Sequence, residues 1–127
     1  MTTRCPVQEY TRNKFTNLDE KGKADMFVTV SRSLAKIGEE DAIIALHEDW
    51  QRNQQTKATG YISGELLRNV RNSREFIAIM RFESQEFAQS LANDPEHKAW
   101  YIRLTSLAEG IPTLTECTRE WHSQADN

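Results

Sequence analysis

Polar and apolar positions divide this chain into two regimes. In the first 24 residues the apolar members are Met1, Cys5, Val7, Tyr10, Phe15, Leu18 and Ala24, with no regular period, and Pro6, Asn13, Asn17 and Gly22 interrupt any helix. The stretch reads as a polar arm. From Met26 the pattern changes. Met26, Val28 and Val30 alternate with Phe27, Thr29 and Ser31, which predicts a strand running to Leu34. Gly38 then leads into Glu39, Glu40 and Asp41, acidic groups that suit the positive end of a helix dipole. Ala42, Ile43, Leu46, His47 and Trp50 follow at helical spacing, so a helix is expected over about residues 39–55.

Gly60 ends the connection. A second strand is expected over Tyr61–Leu67 and a third over Glu75–Phe82, joined as a hairpin by the turn-forming residues Asn69 to Ser73. Ser84 is a candidate cap for a helix whose apolar edge is Phe87 and Leu91. Asp94 and Pro95 then stop that helix and start another, lined by Trp100, Tyr101, Leu104 and Leu107 and ended by Gly110 and Pro112. A last strand spans Thr113 to Trp121, with Cys117 and Trp121 on one face and Leu114 on the other. The order is β-α-β-β-α-α-β. Two interlocked β-α-β halves give an α+β fold of the ferredoxin-like kind, an antiparallel sheet with helices on one face. The third strand is apolar at nearly every position from Phe76 to Met80, as in strands covered on both sides. One layer of helices covers one side, so the pattern predicts a homodimer formed sheet to sheet.

Composition refines the picture only slightly. The 127 residues suit one domain, placed at residues 25–122 between the arm at 1–24 and a polar tail at 123–127. Net charge is −3 and Lys and Arg alternate with Glu and Asp, which argues against nucleic acid as a partner. The two cysteines, Cys5 and Cys117, are too few for a disulfide scaffold and are expected as free thiols. No leader-like apolar core and no membrane-spanning apolar run stands out, so a cytoplasmic protein away from membranes is expected. The pair His47 and Asp49 gathers no further metal ligands, and no Gly-rich phosphate loop occurs, so neither metal nor cofactor is expected.

Two segments resemble a known family. Gly60-Tyr-Ile-Ser-Gly-Glu-Leu-Leu-Arg-Asn69 looks like the second strand of the antibiotic biosynthesis monooxygenases. The stretch from Met80 to Trp100, with Phe82-Glu-Ser-Gln-Glu-Phe87 and Asp94-Pro-Glu-His97, is similar to that family's "W-x-S-x-E-x-F … SPEH" region. The likeness covers roughly residues 25–122. It implies a dimer with two sheets packed face to face. It also implies, for some members, oxidation of aromatic polyketides or quinols by molecular oxygen without flavin, metal or prosthetic group. Phe82 stands where members often place Trp. The haem-degrading branch uses Asn, Trp and His at three positions that here carry Ser31, Ser90 and Trp100, so haem breakdown is not the expected activity.

Oxygenation without a cofactor needs an electron-rich substrate, a base for its proton and donors for the resulting anion in a dry site. His97 begins a helix, where the dipole favours the neutral, proton-accepting imidazole; the alternative is a local packing role. Arg81 breaks the apolar run of the third strand. It binds an oxyanion if it faces the helices and is solvated or ion-paired otherwise. His97 and Arg81 are therefore the catalytic candidates, and Trp50, His47, Tyr61, Phe82 and Trp100 the substrate-binding ones. Asn69 and Tyr101 carry suitable groups too, whereas His122 belongs to the exposed tail. For the aromatic and histidine side chains the competing role is plain core packing. The rival function is a non-catalytic dimeric module holding a small aromatic ligand, and an inward-facing polar group in the cavity separates the two.

Overall fold

The structure is a computed structural model that describes residues 26–125. The arm at residues 1–24, with Cys5, lies outside them. The elements are β1 (Phe27–Leu34), α1 (Glu40–Asn53), a short 3-10 turn (Gln55–Lys57), β2 (Tyr61–Arg68), β3 (Glu75–Phe82), α2 (Gln85–Ala92), α3 (Pro95–Leu107) and β4 (Thr113–Thr118). The strands form one sheet in the order β2-β3-β1-β4 with every pairing antiparallel. This is the expected ferredoxin-like α+β arrangement.

The ends of elements follow local chemistry. Asp94 caps α3, its Oδ2 accepting from the backbone N–H groups of Glu96 and His97 at 3.0 Å each, with Pro95 at the first helical position. Ser84 takes the equivalent place before α2 in an extended conformation, but its side chain makes no cap hydrogen bond, contrary to the expected role. β4 stops at Thr118 rather than Trp121. Its partner β1 begins at Phe27, opposite Thr118, so the ladder runs out there and Trp121 stands 67% exposed.

Register decides which side chains meet the helices. Phe27, Thr29, Ser31 and Ser33 lie opposite Phe82, Met80, Ala78 and Phe76, and this is the helix-covered face. It packs with Ile43, Leu46 and Trp50 of α1 and Trp100 and Leu104 of α3 around Phe76. A second cluster joins Phe27, Phe82 and Ala88 at the start of β1. Val28, Val30, Ile77, Ile79 and Arg81 point to the other face.

Candidate functional site

Between the helices and the covered face of the sheet lies a cavity of about 1210 Å³. Six of the residues expected from sequence line it: His47 and Trp50 from α1, Tyr61 from β2, Phe82 from β3, and His97 and Trp100 from α3. Tyr101 lines it as well. The pattern of the sequence had not marked Thr29 and Ser31 of β1 as cavity residues, although their alternation with Val28 and Val30 places them beside Phe27.

Arg81 is not among the lining residues. It sits between Met80 and Phe82, both of which face the helices, so its side chain points to the opposite face. There its Nη2 donates to Glu65 at 3.3 Å and its Nη1 to the Ser63 hydroxyl at 3.4 Å. The oxyanion-binding reading of Arg81 is thereby corrected to the ion-paired one within this chain. Asn69 is likewise absent from the cavity. It braces the hairpin, accepting from the Arg71 backbone N–H at 2.7 Å and donating to Glu75 at 2.7 Å.

Trp100 is the centre of the aromatic group. It is buried, and its indole N–H donates to the Leu46 carbonyl at 2.8 Å. His97 stacks on it with ring centroids 5.6 Å apart and planes 20° apart, while His47 meets it edge-on at 5.0 Å and 88°. Trp50 donates its indole N–H to His97 Nδ1 at 3.1 Å and meets Tyr61 at 5.3 Å, and Tyr61 in turn meets Phe82 at 5.9 Å.

These contacts fix the proton on each imidazole. His47 Nδ1 lies 3.0 Å from the Ile43 carbonyl, which only accepts, so Nδ1 carries the hydrogen and Nε2 keeps its lone pair. His97 Nδ1 faces an indole N–H, which only donates, so the neutral ring carries its hydrogen on Nε2. Among the described residues neither Nε2 has a hydrogen-bond partner, and both rings line the cavity. Both pKa values are lowered. Burial is the main cause in each ring, opposed by the Ile43 hydrogen bond for His47 and by the Asp94 charge for His97. His97 is thus neutral, as its helix-start position suggested, with burial as the dominant reason. Its Nδ1 lone pair, however, is already taken by Trp50.

The lowered values carry a sign for stability. Below the ordinary histidine pKa of 6.5 the unfolded chain binds protons that the folded chain resists, so stability falls as pH drops through that point and levels off below the folded values. Thermal melts taken between about pH 7.5 and pH 5.5 are expected to show this loss, with a weaker slope in His47→Asn and in His97→Asn. An unchanged slope in both variants would contradict it.

Among the described residues no group of three or more His, Cys, Asp or Glu side chains is placed to hold a metal ion. No helix there is long and apolar enough to cross a membrane. Cys117 is a free, half-buried thiol on β4, and His122 is exposed.

A scan of known protein families finds no match, and neither does a comparison with curated proteins. Solved structures do match. A mutant of SnoaB, a cofactor-independent oxygenase from Streptomyces nogalater, is 15% identical, with 78% of this chain and 97% of that chain covered at a TM-score of 0.70. A protein provisionally named an antibiotic biosynthesis monooxygenase, from Nitrosomonas europaea, is 11% identical, with 80% and 96% covered and a TM-score of 0.70. Another of that provisional name, from Chloroflexus aurantiacus, is 14% identical, with 78% and 97% covered and a TM-score of 0.64. At such identities the likeness is one of fold. The chain has the ferredoxin-like fold of these monooxygenase structures.

Proposed function

We propose that this chain is a cofactor-independent oxygenase that oxidises a planar phenolic, quinol or polyketide-like substrate with molecular oxygen. The observation that carries the reading is the pair of neutral imidazoles whose free Nε2 atoms belong to an otherwise largely aromatic cavity. A module that merely stores an apolar ligand needs no such groups. The fold shared with SnoaB, itself a cofactor-independent oxygenase, supports the same reading.

The chemistry needs only the substrate, a base and oxygen. Proton transfer from an enolised substrate to a cavity imidazole leaves an anion able to give one electron to O2. The resulting radical and superoxide combine at carbon, forming a C–O bond, and protonation gives a hydroperoxide. Loss of water from that hydroperoxide leaves a new carbonyl. One oxygen atom stays in the product and the other leaves as water with the two hydrogens of the oxidised carbon, so no outside reductant is consumed. Held in the aromatic cavity, the anion is kept from bulk water, which strengthens each polar contact made to it.

Oxygen uptake with anthrones, naphthoquinols and flavonols, with chelator present throughout, is the test. Uptake above the uncatalysed rate is expected, reduced about a hundredfold by loss of a catalytic imidazole. If no member of the panel is turned over although it binds, the ligand-binding module replaces this reading.

The unit proposed to act is a homodimer. Val28, Val30, Ile77 and Ile79 form an apolar strip on the sheet face that the helices leave uncovered, and a second copy of the sheet is its proposed cover. Light scattering on the eluting protein is expected to give twice the chain mass, and Val30→Lys to give the single mass. A monomeric parent protein would end the proposal.

A further inference from the structure

The two open ring nitrogens differ in kind. His47 Nε2 offers a lone pair, because Nδ1–H is committed to the Ile43 carbonyl at 3.0 Å. His97 Nε2 offers an N–H, because Nδ1 receives the Trp50 indole proton at 3.1 Å. Both rings rest on one indole, Trp100, and that indole is itself tied to the Leu46 carbonyl at 2.8 Å. Neither ring can exchange its roles without breaking a hydrogen bond inside the protein. The cavity therefore presents one fixed acceptor and one fixed donor among aromatic walls.

We infer that the site selects planar ligands carrying both a hydroxyl and a carbonyl, the hydroxyl donating to His47 Nε2 and the carbonyl accepting from His97 Nε2–H. A diketone would set a carbonyl lone pair against the His47 lone pair, and a hydrocarbon would leave both nitrogens unpaired, each a loss in a dry site. A hydroxy ketone satisfies both. Where the two groups are conjugated, removing the hydroxyl proton to His47 spreads the negative charge onto the carbonyl oxygen. His97 then stabilises that oxygen without itself gaining or losing a proton. This inference rests on the oxygenase reading for its place in turnover, but ligand selection does not depend on oxygen.

The test is an anaerobic titration, followed by intrinsic tryptophan fluorescence, with three probes: a monohydroxyanthraquinone, its methyl ether and the corresponding hydroxyanthracene. The parent protein is expected to bind the hydroxyquinone about tenfold more tightly than either probe lacking one group. His47→Asn keeps an amide donor near Nδ1 for the Ile43 carbonyl and deletes only Nε2. It should abolish discrimination against the ether while keeping discrimination against the hydroxyanthracene. His97→Asn keeps an acceptor for the Trp50 indole and should do the converse. Equal affinity for the three probes, no binding of any, or variants that erase both preferences alike would overturn the inference. If one variant fails to fold, the three-probe comparison and the other variant still decide. Lost selectivity with intact oxygen uptake would reject this inference alone, and selectivity without uptake would reject the oxygenase reading alone.

Discussion

Replacing Trp100 with alanine is expected to lower the unfolding free energy by about 3–5 kcal/mol and to remove ligand binding with it. The side chain is 7% exposed and packs within the cluster of Ile43, Leu46, Trp50, Phe76 and Leu104, so its loss opens a void that rigid neighbours on two helices and a sheet cannot fill. It also removes the indole that His97 stacks on and His47 abuts, and the donor to the Leu46 carbonyl. Trp100→Phe separates these contributions. It keeps an aromatic face and loses the N–H, so a cost of about 1–2 kcal/mol is expected, with binding weakened rather than abolished. Urea unfolding at constant slope, paired with the fluorescence titration through Trp50 and Trp121, measures both. A cost below about 1 kcal/mol for the alanine variant would mean that Trp100 is a cavity wall and not part of the core.

The same residue shows where the sequence was informative. Trp100 was open to two readings, core or ligand platform, and it serves the core while lining the cavity, because the cavity is the unfilled part of the layer between helices and sheet. The strands, the hairpin and the Asp94-Pro95 helix start were legible because each rests on a local rule: alternation, turn residues, capping. Arg81 was not legible. Ile77, Ile79, Phe76 and Met80 make both faces of β3 apolar, so alternation alone could not tell which face the helices cover. The proton assignments were hidden for another reason. His47 bonds to a carbonyl one helical turn back, a local contact, but the partner that fixes His97 is Trp50, 47 residues away, and only the packing of α1 against α3 brings them together. Without that contact, a histidine at a helix start reads as a base.

Gly60→Ala is expected to cost more than Gly38→Ala although both glycines have a left-handed backbone. Their φ angles are +78° and +89°, so an alanine at either site bears a similar backbone penalty of about 1–2 kcal/mol. At Gly38 the added methyl group meets nothing within 4 Å. At Gly60 it would sit 2.2 Å from Phe87 Cγ and 2.7 Å from Phe87 Cβ. A ring can swing away, but Cβ moves only with its helix, so α2 would have to shift off the start of β2. That overpacking adds about 1–3 kcal/mol, for a total near 3–4 kcal/mol. The displacement also reaches the cavity. Phe87 packs with Phe27, Phe82 and Ala88, and the neighbouring Tyr61 and Phe82 form its aromatic wall. A double-mutant cycle isolates the clash: Phe87→Ala should cost less in the Gly60→Ala background than in the parent, by about 1 kcal/mol or more. Additive effects, or equal costs at Gly60 and Gly38, would mean that α2 moves freely and that the close approach of its first turn to β2 does not fix the cavity wall.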